Sequence, residues 1–454
     1  MTTTTTTDAA RDQGRDAGQI LNRHVFDRDP TLHSLENDGV SKLSNTAALP
    51  YELATFVCEG EYQAGLDRIL DTFLSHVSRT TQPSAWVSGF YGSGKSHLVK
   101  VLEALWRDEP FENGRRPRDL VGLTPDISGH LRQISTEGRR AGGLWSASGL
   151  LSESSDQSVR MLILGIVYRA AGLSGDYGRA RFRLWVRGRG WEEEIVRRIT
   201  VEGLDPDTEF NEYLVSPVIA DAVHDLSGAT STDADSAQER WHAQFNRHDI
   251  SVDDLEAALK EVFRLQSADG KSIPLTLIVL DEVQQYIGDS GARAQALQEA
   301  VERIQSAFEG KVLVVATGQA ALNTTPNLQK LQGRFTVNVM LSDKDVERVV
   351  REVVLRKDPV QMPAVEATLR AVEGEIDRHL QTTRIGPRSE DKAILAADYP
   401  LPPPRAQASG CGAMRTWVTA DPIAFPFPIP TPSDRLGKYP HSEKRVAQPE
   451  TIRR

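Results

Sequence analysis

Apolar side chains recur at steps of three and four from Leu66 through Ile69, Leu70, Phe73, Leu74 and Val77. That spacing lines one face of an α-helix, and Pro83 closes it. A short apolar run, Ala85 to Ser88, passes directly into a glycine-rich turn from Gly89 to Gly94. Helical spacing returns from Ser96 to Trp106, with Leu98, Val101, Leu102 and Leu105 as its buried face. Leu275–Leu280 and Val312–Ala316 are unbroken aliphatic runs of strand length. Such runs belong to strands covered on both faces, so the pattern predicts a parallel α/β sheet. Between them a helix carries Leu297, Val301, Ile304 and Phe308 on one face. Phe335–Leu341 suits a further strand. Ser342, with Asp345 three residues on, opens a helix bearing Val346, Val349, Val350, Val353 and Val354.

The middle of the chain is less legible. Residues 111 to about 265 show two helical patterns, Ser158–Ala171 and Ser251–Leu265, the second opened by a Ser251/Asp254 capping box. A polar, acidic segment around 227–239 reads as an exposed loop. Residues 1–30, threonine-rich and then charged, are expected to form a disordered tail. Residues 31–83 then form an amino-terminal helical segment. Residues 84–110 and 270–341 form an α/β core, with 111–269 as a mostly helical insertion and 342–399 as a helical, lid-like segment. From 400 to 454 the composition changes: eleven of the 24 prolines fall after residue 398. Proline at that density excludes helix and interior strand, so this tail too is expected to be disordered.

Charge and composition narrow the classes. The chain has 454 residues, and 53 basic against 63 acidic side chains leave a net charge of −10. That excludes a uniformly basic nucleic-acid coat, so any DNA contact needs a local patch. Two cysteines, Cys58 and Cys411, cannot build a disulfide framework or a cysteine zinc site. No apolar stretch reaches the roughly 18 residues of a membrane span, and the amino terminus lacks the apolar core of a secretory signal. A cytoplasmic protein is expected.

The chemistry sits where strand turns into helix. Gly89-Phe90-Tyr91-Gly92-Ser93-Gly94-Lys95-Ser96 matches G-x-x-x-x-G-K-[ST], the phosphate-binding loop. The glycines let successive N–H groups point at one anion, and the positive end of the following helix adds to that field. Lys95 has the reach for β- and γ-phosphates, and the Ser96 hydroxyl suits Mg²⁺. The run 277–280 ends in Asp281-Glu282. A carboxylate at the end of a strand beside the phosphate loop suits the water shell of Mg²⁺. Glu282 suits the orientation and deprotonation of an attacking water. Alone, the acidic pair equally suits a solvated strand end. The third run ends in Thr317-Gly318-Gln319, where Thr317, and after it Gln319, is the candidate for contact with a γ-phosphate or its water. Arg334 stands where, in ring-forming ATPases, an arginine finger reaches a neighbouring subunit's site, and equally suits a solvated arginine before a strand. Arg179, Arg181, Arg183, Arg187 and Arg189 interleave with Phe182, Trp185 and Trp191. That mixture suits nucleic-acid contact, and equally the solvated basic face of an amphipathic helix.

Several segments together resemble a known family. FVCEGEYQAGLDRILDTFL, SAWVSGFYGSGKSHLVK, GGLWSASGLL, SVRMLILGIVYRAAGL, LIVLDEVQQYIG and VLVVATGQ resemble the large P-loop ATPase of bacteriophage exclusion (BREX) and phage-growth-limitation systems. The resemblance runs from about residue 20 to Pro400. It implies an AAA+-like P-loop NTPase of the additional-strand, catalytic-glutamate type, with ATP and Mg²⁺ at Gly89–Ser96, Asp281 and Glu282. It also implies other defence-system proteins as partners, and a homo-oligomer, as in ring-forming ATPases, stays open. Family members are considerably longer, so this chain would correspond to their amino-terminal ATPase portion, and the tail beyond AILAADYPL would be a truncated or frame-shifted end. Two other readings stand beside ATP hydrolysis: a nucleotide-gated scaffold with little turnover, and a signalling switch. Lys95 and Asp281 lie 186 residues apart, which is long for a minimal nucleotide-binding core and places the insertion between them.

Overall fold

Five strands, all parallel, form one sheet: β1 (Ala85–Gly89), β2 (Leu144–Leu150), β3 (Leu275–Asp281), β4 (Val312–Gln319) and β5 (Val337–Met340). They lie in the order β2-β3-β4-β1-β5. This computed structural model describes residues 22–27, 47–90, 92–151, 157–228, 234–319, 331–380 and 389–400. The expectations for residues 1–21 and 401–454 lie outside them. β3 is buried along its whole length. Successive side chains face opposite sides of a strand. Leu275, Leu277 and Val279 therefore enter one core, and Ile278 and Leu280 the other. A strand with two covered faces has no polar alternation to show, which is why it reads as a continuous apolar run. β5, at one edge, does alternate: Val337 and Val339 are buried, Asn338 and Met340 exposed.

β2, at the opposite edge, has no counterpart among the expected elements. Its sequence, LWSASGL, dilutes the apolar signal with serine and glycine. Ser146 is tolerated inside because its hydroxyl donates to Glu103 at 2.9 Å. Since β2 pairs with β3 over Leu144–Leu150, the core sheet reaches into the 111–269 stretch that the sequence suggested was an insertion.

Helices cover both faces. On one side lie α1 (Leu49–Ala54), α2 (Gly60–His76), α3 (Lys95–Arg107) and α4 (Pro125–Arg140). α2 ends at His76, before Pro83. α1 is tied to α3 by an ion pair closed to water, Glu52 to Lys100 at 2.6 Å. α5 (Val159–Ala170) packs on the other side. After it, α6 (Tyr177–Gly188), α7 (Glu192–Val201), α8 (Pro206–Asn211), α9 (Pro217–Ser227) and α10 (Ala234–Phe245) gather around a separate aromatic core. There Phe182 stacks on Tyr213 at 4.2 Å between ring centres and meets Trp241 at 5.0 Å. α6 joins the two cores, sending Ala180 and Leu184 to the sheet side and Phe182 and Val186 to the aromatic one. Of the loop expected over 227–239, residues 229–233 lie outside the described residues, which cover only its two ends. Its described residues belong to the end of α9 and the start of α10, because Trp241 and Phe245 give α10 an apolar anchor beyond the polar stretch.

The sheet's second face is completed by α11 (Val252–Gln266), α12 (Val283–Ile287) and α13 (Gly291–Ala307). α14 (Asp343–Val349) follows β5, and a π-helical turn over Val350–Val354 replaces the continuous helix expected there. The described residues divide into two units, those within 35–354 and those of 22–27 with 355–380 and 389–400. In the second, Phe26 bridges Lys357 in antiparallel fashion, and α15 (Met362–Leu380) is the main element. Among the described residues no helix is long and apolar enough to cross a membrane.

Candidate functional site

The loop between β1 and α3 is shaped by its glycines. Gly92 and Gly94 have φ of 82° and 80°, a region that costs any residue with a Cβ. At Gly89 a Cβ would lie 2.2 Å from the Ser93 hydroxyl, so the strand can turn this sharply only without one. Gly94 is the N-cap of α3 and has no side chain with which to cap it. The first-turn N–H groups of α3 therefore face the loop without a capping oxygen, unlike those of α5, α6 and α11, capped by Ser158, Asp176 and Ser251. Lys95 folds back over the loop, its Nζ donating to the carbonyls of Gly89 (3.1 Å) and Phe90 (2.8 Å). Ser96 follows in the first turn of α3. Tyr91, also expected in the loop, lies outside the described residues.

The acidic pair stands at the same, carboxyl-terminal edge of the sheet. Leu280 is level with Ala316 on β4, so Asp281 and Thr317 come next to each other, and Val87 of β1 is level with Thr317. The Thr317 hydroxyl donates to Asp281 Oδ1. The Glu282 N–H donates to that same oxygen (3.0 Å) and to Thr317 Oγ1 (3.1 Å). Glu282 holds a left-handed backbone, φ 55° and ψ 33°, which costs a residue with a side chain about 1–3 kcal/mol. The two bonds to its N–H, with Gln285 N donating to its carbonyl at 2.9 Å, hold that conformation. Burial raises the Glu282 carboxyl above the ordinary glutamate range, the neighbouring Asp281 charge raises it further, and Lys95 acts in the opposite direction. Lys95, Asp281 and Glu282 thus form one electrostatic group.

Thr317 differs from expectation in what its hydroxyl does. It is wholly buried and engaged with Asp281; it orients the acidic pair instead of standing open toward a phosphate. Gln319 is level with Gly89, the first loop residue. Its N–H donates to Gln284 Oε1 at 2.8 Å, so Gln284 ties the tip of β4 to α12 beside Glu282. Nothing in the local pattern marks Gln284, which sits among polar residues in DEVQQ. Tyr62 is a second unforeseen participant: its hydroxyl donates to the Ser93 carbonyl at 2.7 Å.

Arg334 is not brought to this group. Val337 is level with Ala85, the first residue of β1, and Arg334 precedes it. It lies 3.8 Å from Glu302 of α13 and is 59% exposed. Three of the five arginines of the candidate basic patch are paired with carboxylates. Arg181 bonds Glu261, Arg183 bonds Glu192 (2.9 Å) and Asp207 (2.6 Å), and Arg187 bonds Glu192 through two nitrogens. The Arg189 guanidinium lies 4.1 Å from the Trp185 ring centre. The Arg179 N–H is capped by Asp176 at 3.0 Å. The aromatic residues form the core of the helical unit, and acidic partners from α7, α8 and α11 offset Arg181, Arg183 and Arg187.

Mg²⁺ fits the oxygen donors present: the Ser96 hydroxyl and the nearly buried Asp281 carboxylate are hard ligands of the kind it takes. Among the described residues no group of three or more His, Cys, Asp or Glu side chains could hold a metal alone. A site of this sort takes its remaining ligands from phosphate and water.

The five-stranded parallel sheet, covered by helices, and the loop make an α/β protein consistent with a P-loop NTPase-like fold. No family model matches the sequence. A solved structure, the Orc1 protein of Aeropyrum pernix in complex with DNA, is similar over 84% of this chain and 71% of that one, at 12% identity and a TM-score of 0.25.

Proposed function

We propose that the chain binds and hydrolyses ATP, as an AAA+-like ATPase of the additional-strand, catalytic-glutamate type. The observation that carries this reading is the edge of the sheet where the glycine loop with Lys95, Thr317 on the intervening β4 and the Asp281–Glu282 pair stand side by side. In this reading the loop N–H groups and Lys95 hold the phosphates, and Ser96 and Asp281 hold Mg²⁺. When bound, the metal supplies charge that offsets the charge developing on the phosphoryl oxygens. Glu282 orients the attacking water and takes its proton. Thr317 and Gln284 keep the acidic pair in register. The resemblance of the flanking segments to BREX and phage-growth-limitation ATPases supports a role in bacterial antiphage defence, with other defence proteins as partners.

Replacing Lys95 by Ala tests nucleotide binding. Lys95 brings a full charge to the loop, and hydrogen bonds to charged groups contribute about 1.5–3 kcal/mol. MgATP affinity should fall at least about tenfold in titration calorimetry. Unchanged affinity in a folded variant removes the proposal.

Arg334 is proposed as a finger supplied to a neighbouring subunit. It is more than half exposed and apart from its own chain's acidic pair. A site completed in trans makes turnover per subunit rise with protein concentration. Mixing Arg334→Ala with Glu282→Gln subunits should restore part of the activity each lacks alone. Turnover per subunit that stays constant on dilution to monomer contradicts this role.

A further inference from the structure

The tie between Tyr62 and the loop reaches further than one hydrogen bond. The Tyr62 ring is packed into the core, with Phe56 edge-on at 5.7 Å. Ser93, which accepts its hydroxyl, is wholly buried. The Ser93 N–H turns inward to the Phe90 carbonyl at 3.2 Å, and the Ser93 hydroxyl has no partner among the described residues. Among those residues, the Ser93 carbonyl is thus the loop's hydrogen-bonded anchor at this residue, and Tyr62 holds it. Next to it, Gly94 passes so close that a Cβ would lie 2.4 Å from the Tyr62 oxygen.

Peptide geometry gives this anchor a consequence. The carbonyl of Ser93 and the N–H of Gly94 belong to one planar trans peptide, so they point in opposite directions. Holding the carbonyl toward α2 aims the Gly94 N–H away from α2.

Tyr62 is itself held from the far end of the sequence. It is the third residue of α2, whose N-cap residue, Glu59, provides no side-chain cap. Asp345 of α14 takes that place, its Oδ1 accepting from the Glu61 N–H at 3.1 Å. Its Oδ2 accepts from the N–H (2.9 Å) and hydroxyl (2.7 Å) of Ser342. One carboxylate therefore serves the first turns of two helices, α2 and α14. Arg348 of α14 adds an ion pair to Glu59 at 3.3 Å. α2 also lies tightly on β5: a Cβ at Gly65 would be 2.6 Å from Val339.

We infer that Tyr62 is a positioning residue of the phosphate loop and that Asp345 sets it, so that the placement of α14 tunes nucleotide affinity. The inference rests on the reading of the loop as a nucleotide site. Tyr62→Phe keeps the ring and removes the hydroxyl. In the full chain it should weaken MgADP binding about tenfold in calorimetry, and raise KM for MgATP more than it lowers kcat. Its melting temperature without nucleotide should move little. Asp345→Asn should weaken MgADP binding in the same direction, and the double variant should lose less than the sum of the two, because both act through one contact. Wild-type affinity in Tyr62→Phe overturns the inference while leaving the site intact. Additive losses overturn the link through Asp345. A wild-type chain that binds no MgADP removes the reading of the site, and this inference with it.

Discussion

Glu282→Gln should leave MgATP binding intact and reduce turnover by about 10²–10⁴-fold, the usual contribution of a positioned general base. Glutamine keeps the shape of the side chain and can still hydrogen-bond a water, but it cannot take a proton. The two hydrogen bonds that hold this residue come from its backbone N–H, not its carboxylate. The substitution therefore leaves the left-handed turn in place and changes only the side-chain chemistry. The wild-type pH profile carries the same signature. With its carboxyl raised by burial and by Asp281, Glu282 becomes protonated at a higher pH than an ordinary glutamate. A protonated base is inactive, so kcat/KM, which reports the free chain, should fall on the acid side while an ordinary glutamate would still be charged. Single-turnover measurements with labelled ATP separate binding from cleavage. A variant that cleaves at the wild-type rate makes Glu282 a strand-end carboxylate and nothing more. Tight binding with no turnover in wild type favours the nucleotide-gated scaffold.

What could be foreseen of this site follows the range over which its contacts act. Gly89–Ser96 and Asp281–Glu282 are legible because their chemistry is local: a turn that needs glycine, a helix start, a carboxylate ending an apolar run. The central strands are legible for a similar reason, since burial on both faces leaves them uniformly aliphatic. β2 escapes because an edge strand needs less apolar surface, and its serine finds Glu103 from a distant helix. Tyr62, Gln284 and the shared carboxylate of Asp345 escape because each acts on a residue remote in sequence, with no periodicity to mark it. The arginines of α6 mislead in the opposite way. A charge run shows sign along the chain, whereas Glu261, Asp207 and Glu192, which pair with them, enter from three other helices.

Glu52→Ala should destabilise the folded chain by about 3–5 kcal/mol, the usual cost of leaving one half of a buried ion pair behind. Glu52 is fully buried and Lys100 nearly so, with 2.6 Å between the charged atoms. The pair joins α1 to α3, the helix that carries Lys95 and Ser96 at its start, and His97 sits against it with its Nε2 3.1 Å from the Glu52 carbonyl. Burial lowers the His97 pKa, the nearby Glu52 opposes that, and Lys100 adds to it. The imidazole is therefore neutral at neutral pH and brings no negative charge to replace the carboxylate. Once the carboxylate is gone, the ammonium must stay charged in a dry site, lose its proton or draw water into the core, and each route costs folding energy. Replacing both partners, Glu52→Leu with Lys100→Met, removes the charges together and should recover most of the loss, because an apolar pair of similar volume often matches a buried ion pair. Urea unfolding of the three chains at neutral pH reads the difference directly. A loss below about 1 kcal/mol in Glu52→Ala, the range of exposed pairs, would mean that water reaches Lys100 in solution. A double variant as unstable as the single one would mean that the pair's hydrogen bonds, more than its charge balance, join α1 to the phosphate-loop helix.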